Sequence, residues 1–505
     1  MNLRIVTFMI AVIMAAVALA ITACGTASYL LQDPRDAALK LMLCGIMIFL
    51  LSFVLAFCMR PKNEIDRKMG MREGFAIVGL SWFAATFCGM FPYIIVCGFS
   101  WYDAIFETAS GFSTTGASVV DSTLVLMNGE RLPNGVESLP RGILLWRSMT
   151  QWLGGMGIVV LSLAIVPLMK IGGQSLYNAE VSGIKSMQSK IAPRIADSAK
   201  ILWIVYVVMT LFQIILLRLG NMGWFDSVCH SMTTLSTGGF STKNSSIAYW
   251  QSDYIHWVIT VFMFLSGCNF VLHYRFLMRK SGSNYFKDEE FRFYTVIVVL
   301  FSLIIAGILT WQNGLSSCHI SLRDAAFQTA SFITTTGFCT VDYSQWHALP
   351  VMLLFLTMFI CACGGSTTGG IKCVRILLVG KYALSELRRC LFPHLVQDIR
   401  LNDERCEFST IQKTIGFCTL FMILFLVFAA ILTCLLPGDV SMETALSASL
   451  TCLANVGPGF GQLSPAYTFS WMTPSAKLLL AFEMILGRLE LYTVLVLFLP
   501  SFWKK

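Results

Sequence analysis

The sequence predicts an all-α polytopic membrane protein in which four pseudo-fourfold repeats, each a helix, a pore helix, a filter segment and a second helix, surround one pore. Three observations carry that expectation. Of 505 residues 56% are hydrophobic and 13% charged, and the mean hydropathy is +0.71, too apolar for a water-soluble domain of this size. Apolar runs that approach or exceed the roughly 20 residues needed to cross a bilayer core occur along the whole chain. A short polar segment centred on glycine also recurs: Ser110 to Ser118, Thr233 to Ser241, Ser331 to Cys339 and, more loosely, Thr451 to Gly459. With Gly116, Gly238, Gly337 and Gly457 taken as its centres, the spacings are 122, 99 and 120 residues (238−116, 337−238, 457−337), the mark of an internal repeat.

The chain divides accordingly into a transmembrane hairpin (1–72) and four units (73–195, 196–289, 290–400 and 401–505). The hairpin consists of apolar runs Ile5 to Leu31 and Ala37 to Cys58. The close succession of the two runs argues against a cleaved signal peptide. Outward helices are expected near Gly74 to Gly98, Ala199 to Leu219, Phe291 to Trp311 and Ser409 to Leu436. Returning helices are expected near Gly142 to Met169, Tyr254 to Met278, Val351 to Val379 (interrupted) and Ala476 to Phe502. Basic residues fall mainly in alternate loops: Arg60, Lys62, Arg67, Lys68 and Arg72; Lys170, Lys185, Lys190, Arg194 and Lys200; Arg279, Lys280 and Lys287; then Lys381 to Lys413. This alternation places those loops and both termini in the cytoplasm and gives ten crossings. The net charge of +8 has no tract dense enough for nucleic acid, and the 17 cysteines, many within apolar runs, read as small hydrophobes rather than a disulfide framework.

Asp103, Asp226, Asp324 and Glu443 precede the central glycines by 13, 12, 13 and 14 residues (116−103, 238−226, 337−324, 457−443). Each would stand near the start of a short half-helix, where a carboxylate complements the positive end of the dipole. The negative ends of four such helices would then converge below the glycine segments and favour a cation. Irregular backbone at membrane depth is tolerated only where it is buried in protein or lines a watery cavity. Glycine with positive φ lets successive carbonyls face inward, and rings of carbonyls can replace the hydration shell of potassium. Close helix packing through small residues explains Gly154, Gly155 and Gly157 but not segments that lie between a short helix and a polar loop.

These features resemble the Trk/Ktr/HKT superfamily of cation transporters, and within it the TrkH type. The likeness covers essentially the whole chain. It rests on the glycine segments together with Arg147 to Gly157, Gly267-Cys-Asn-Phe270, Asn455-Val-Gly-Pro-Gly459 and Gly487-Arg-Leu-Glu490. The resemblance implies potassium uptake in a bacterial inner membrane, K+ as the transported ion and no organic cofactor. The implied selectivity filter comprises Thr114, Thr115, Gly116 and Ala117; Ser236, Thr237, Gly238 and Gly239; Thr335, Thr336, Gly337 and Phe338; and Asn455, Val456, Gly457 and Pro458. Glycine at 116 favours potassium, since sodium-preferring plant relatives often carry serine there. The fourth segment departs from the hydroxyl-rich pattern at Asn455 and Val456. A homodimer and a cytosolic, TrkA-like nucleotide-binding regulatory ring are implied as partners, because this chain has no nucleotide motif of its own. Channel-like conduction and sodium- or proton-coupled symport are both compatible with these residues.

The third returning helix contains Cys363-Gly-Gly-Ser-Thr-Thr-Gly-Gly370, then Ile371-Lys372. Each glycine costs a helix roughly 1 kcal/mol relative to alanine, so a loop is expected here. By the resemblance, Gly364, Gly365, Ser366, Thr367, Thr368, Gly369, Gly370 and Lys372 would gate the pore. Arg488, read as lying well inside the last helix, would stand near that loop. Neither Glu483 nor Glu490 is three or four residues away, so neither forms a good helical pair with it. Tyr382 to Arg400 reads as a basic, partly amphipathic surface helix suited to anionic lipid or a partner. A membrane enzyme is the rival class, but His230, His256, His273, His319, His347 and His394 show no metal-ligand spacing.

Overall fold

The computed structural model describes residues 1–61, 70–157, 195–279, 283–393, 398–438, 440–465 and 467–504. Lys62, Arg67, Lys68, Lys170, Lys185, Lys190, Arg194, Lys280 and His394, together with the expected extension of the first returning helix to Met169, lie outside the described residues.

Helices Leu3–Leu30 and Arg35–Met59 form an antiparallel hairpin. At 1.5 Å per residue each reaches roughly 40 Å, enough to cross a bilayer. Small residues let the pair approach closely: a Cβ on Gly45 would lie 2.7 Å from the Thr22 backbone nitrogen. The turn between them docks onto the rest of the chain. The Asp33 carboxylate accepts from the N–H groups of Arg141 (3.1 Å) and Gly142 (2.8 Å), and so caps helix Arg141–Gly155, whose own N-cap residue is Pro140.

Four outward helices follow: Met71–Cys97 (bent after Gly89), Ile195–Leu219, Glu289–Asn313 and Phe408–Leu435. With the hairpin they supply six spans long and apolar enough to cross a membrane. The chain is thus a mostly helical, multi-pass membrane protein.

The returning helices differ from the expectation that only the third is interrupted. The first described part is Arg141–Gly155, which ends before Gly157 at φ 73°. The second breaks into Asp253–Ser266 and Phe270–Arg279, with a 101° bend at Gly267-Cys268-Asn269. The third consists of Ala348–Thr357 and Cys373–Leu391, with irregular chain from 358 to 372 between them, a longer gap than the glycine cluster alone predicts. The fourth stops at Arg488, and Glu490 and Leu491 adopt φ of 55° and 50° before the chain resumes. Apolar side chains flank the second and fourth breaks on both sides, so hydropathy alone reads each as one helix. Freed backbone groups find partners across the breaks: Cys363 N–H donates to Gly267 O (3.0 Å) and Phe270 N–H to Gly365 O (3.1 Å). The surface helix expected from Tyr382 is the far end of Cys373–Leu391, with Leu384, Leu387 and Leu391 exposed. Beyond it stands a two-stranded hairpin, Arg400–Leu401 with Glu404–Arg405.

Between outward and returning helices lie four short helices, Trp101–Phe112, Trp224–Leu235, Cys318–Ile333 and Met442–Ala454. Asp103, Asp226 and Glu443 stand in first turns, whereas Asp324 lies further along, in the second turn of its helix. Asp226 accepts from Thr242 Oγ1 (2.6 Å), Asp324 pairs with Arg323 (2.7 Å), and Glu443 is exposed in the first turn. Asp103 is buried and pairs at 2.6 Å with Lys477, itself buried, in the last returning helix. That bond joins the first unit to the fourth. Removing one member of a buried pair strands the other, at a cost of about 3–5 kcal/mol. Lys477→Met is therefore expected to lower the Tm of the purified protein clearly, and Asp103→Asn in the same chain to recover most of the loss. An unchanged Tm in the single variant would contradict the pairing.

Candidate functional site

Each short helix ends in the same way. The N–H groups of Thr115, Gly238, Thr336 and Val456 donate back to the carbonyls of Ser110, Thr233, Ser331 and Thr451, at 3.0, 2.8, 2.9 and 2.9 Å. The residue before each donor is left-handed: Thr114, Thr237, Thr335 and Asn455 have φ of 56°, 55°, 54° and 58°. This six-to-one bond around a left-handed residue is a Schellman closure, normally made with glycine. Three of the four positions hold β-branched threonine, for which the conformation is an outlier and costs roughly 1–2 kcal/mol. Strain of this kind persists where function requires the geometry.

Two residues further on, a glycine takes positive φ in every segment: Gly116 at 83°, Gly239 at 76°, Gly337 at 80° and Gly457 at 105°. The second centre is therefore Gly239, not Gly238 as taken from the sequence. The corrected register places Asp103, Asp226 and Asp324 each 13 residues before their glycine (116−103, 239−226, 337−324). The offset of Glu443 stays at 14, with Thr444 at the position equivalent to the three aspartates (457−444).

The four glycines form a closed ring. A Cβ on Gly116 would lie 2.2 Å from Gly238 O, on Gly239 1.8 Å from Thr336 O, on Gly337 2.3 Å from Val456 O, and on Gly457 2.5 Å from Thr115 O. Each segment's carbonyl thus fills the space a side chain would need in its neighbour, and the fourth segment closes onto the first. The arrangement brings together all four sequence-predicted segments. Asn455 suits its left-handed position, and its Nδ2 donates to Thr115 Oγ1 (2.9 Å) and Met484 O (2.8 Å), so the odd fourth wall is tied to the first and to the last helix.

On one side of the ring is a cavity of about 540 Å3, lined by the four ring glycines and by Asp121, Glu137, Lys243 and Thr468. Burial alone would raise the Asp121 carboxyl, but hydrogen bonds from Ser470, Thr468 and Thr123 outweigh it and hold the group below the ordinary carboxylate range. On the other side, the loop 358–372 lies against the carboxyl ends of the short helices. Thr367 Oγ1 donates to Leu235 O (3.0 Å), and Gly369 N–H donates to Thr335 Oγ1 (3.0 Å). A Cβ on Gly369 would lie 2.5 Å from Ala454 O. Gly364 N–H, within the loop, and Val374 N–H, in the first turn of the helix after it, share one acceptor, Glu290 Oε1, at 2.6 and 3.1 Å. Ser366 Oγ bonds Thr368 Oγ1 (2.8 Å), and Lys372 folds back to donate to the Thr368 hydroxyl (2.8 Å) and carbonyl. Gly365, Gly370 and their loop neighbours, with Arg488, line a second cavity of about 180 Å3.

Arg488 is the last residue of helix Pro474–Arg488 rather than an interior one. Its guanidinium donates to the Thr367 carbonyl of the loop and to Gly154 O and Gly155 O, both at 2.7 Å, at the end of the first returning helix. A cation there complements the negative ends of two helices. Sequence reasoning missed Asp33, Glu107, Gln151 and Lys477. The available signal was the pair Arg147 and Gln151, two polar groups four residues apart in a helix expected to cross the membrane.

Fold and ring together define a multi-pass helical membrane protein in which four glycine segments close into one ring. Residues 40–505 match the TrkH family model, described as a cation transport protein, and the chain belongs to that family. It is 38% identical over 447 residues to the Trk system potassium uptake protein TrkH of Escherichia coli K12, covering 88% of this chain and 89% of that protein. It is 32% identical over 467 residues to TrkG of the same strain, covering 91% and 92%. The crystal structure of the potassium transporter TrkH from Vibrio parahaemolyticus superposes with a TM-score of 0.85 at 31% identity, covering 100% of both chains.

Proposed function

We propose that this chain is the potassium-conducting membrane subunit of a Trk-type uptake system in the bacterial inner membrane. The reading has ten crossings, cytoplasmic termini, and four pore units with the boundaries given above. Thr114 to Ala117, Ser236 to Gly239, Thr335 to Phe338 and Asn455 to Pro458 form the filter. Their carbonyls replace the hydration shell of K+, and the carboxyl ends of four short helices lower the energy of a cation there. The observation that carries this reading is the closed glycine ring, in which a backbone carbonyl of each segment lies against the glycine of its neighbour. Gly364 to Gly370 with Lys372 form the gate, and Arg488 holds it. The functional unit is a homodimer that works with a cytosolic, TrkA-like nucleotide-binding ring. The Trk system named for the relatives supports a multi-component assembly.

The test is cation flux in proteoliposomes. The wild-type protein is expected to pass potassium in preference to sodium, and Gly116→Ser to shift that preference towards sodium. A variant that keeps both its selectivity and its full flux would overturn the filter assignment.

A further inference from the structure

The second filter segment differs from the others at one position. The ring carbonyl belongs to Thr115, Thr336 and Val456 in segments one, three and four, but to Gly238 in segment two. In the first and third segments the threonine hydroxyl is braced by the residue two before it, Ser113 Oγ to Thr115 Oγ1 at 2.6 Å and Thr334 Oγ1 to Thr336 Oγ1 at 2.8 Å. Ser236, the equivalent in segment two, bonds the carbonyl three residues back (Thr233 O, 3.2 Å), as Ser113 also does (Ser110 O, 3.5 Å), but Gly238 offers it no hydroxyl to brace.

Gln151 occupies the vacated place. A Cβ on Gly238 would lie 2.4 Å from Gln151 Cδ, 2.4 Å from its Oε1 and 2.9 Å from its Cγ. Gln151 Nε2 donates to Gly238 O at 2.7 Å, and Oε1 accepts from Phe240 N–H at 3.0 Å, so one amide holds the chain on both sides of Gly239. The same helix face serves the whole segment. One turn earlier, Arg147 donates to Ser241 O (3.0 Å) and covers the Phe240 ring at 4.1 Å, while its charge is balanced by buried Glu107 at 2.7 Å. One turn later, Gly155 packs against Ser236, where a Cβ would come within 2.7 Å of the serine Cβ. Residues four apart on a helix share a face, and this face runs along the second segment from Ser236 to Ser241.

We propose that Gln151 is a positioning residue for ion selectivity: it aims the Gly238 carbonyl and stands in for the hydroxyl side chain this segment lacks. The inference rests on the reading of the ring as a potassium filter. A carbonyl held by one fixed donor keeps its direction as ions pass, whereas a released one can turn to fit a smaller ion.

The experiment compares the potassium-to-sodium permeability ratio of wild-type and variant full-length protein in proteoliposomes. Gln151→Met keeps the volume and loses both bonds. Gln151→Glu keeps the acceptor for Phe240 N–H and loses the donor to Gly238 O. Both are expected to lower the ratio roughly tenfold, the effect of losing one buried hydrogen bond, while total cation flux persists. Gly238→Ser alone is blocked by the glutamine, and combining it with Gln151→Ala should recover selectivity beyond either single change. Folded Gln151 variants with the wild-type ratio, or a double variant no better than the sum of its parts, overturn the inference. A set in which no variant folds does so too, since Gln151 would then be a folding element only. A wild-type protein without potassium preference would instead sink the filter reading, and a potassium-selective wild type with indifferent Gln151 variants sinks this inference alone.

Discussion

Gly239→Ala is expected to reduce potassium flux by at least about 100-fold in protein that still inserts and folds. The new Cβ would lie 1.8 Å from Thr336 O, an atom of neighbouring backbone rather than a side chain that could swing away, and φ is 76°. The left-handed strain alone costs about 1–2 kcal/mol, and the collision forces the ring open at the junction of the second and third segments. Gly238→Ala makes the contrast. Its φ is not in the left-handed region and the three atoms nearest its Cβ all belong to the Gln151 side chain, at 2.4 to 2.9 Å, so a smaller loss is expected. Tracer uptake into proteoliposomes reconstituted at equal protein density measures both. A greater loss in the 238 variant would return the centre of the segment to Gly238.

Arg488→Ala is expected to raise resting cation leak about tenfold in the absence of any regulatory partner. The guanidinium joins the loop carbonyl of Thr367 to the carbonyls of Gly154 and Gly155, and hydrogen bonds from a charged group contribute about 1.5–3 kcal/mol each. Without them the loop keeps its bonds to Leu235, Thr335 and Glu290 but loses its tie to the two returning helices. Deletion of Gly364 to Gly370 should give a larger leak in the same direction. Resting flux that stays level or falls in either folded variant would argue that the loop does not close the pathway.

The membrane class and the four polar segments were legible because hydropathy and repeated Ser/Thr/Gly composition are properties of composition and order. The register of the second segment was not. Thr237-Gly238-Gly239 offers two glycines, and composition cannot tell which one needs positive φ and which needs room for Gln151. The breaks at Cys268 and Glu490 were hidden for a related reason: apolar side chains flank them, while the partners of the freed backbone groups, such as Gly365 O for Phe270 N–H, are distant in sequence. Lys477 and Asp103 are 374 residues apart, and each alone reads as an ordinary charge at a helix start. Asn455, which looked like a departure from the pattern, is the residue besides glycine best suited to a left-handed helix end.

The four walls of the ring belong to one polypeptide. In a ring of identical chains every substitution is made four times, so a change that costs 1 kcal/mol in one wall costs about four in the whole. Here a substitution alters one wall only, and its neighbours can compensate from a different part of the same gene. Gly238 with Gln151, and Asn455 with Thr115 and Met484, are two such local settlements. A covalently continuous ring can therefore drift wall by wall, tuning one side of the ion's coordination while the other three keep the pathway working.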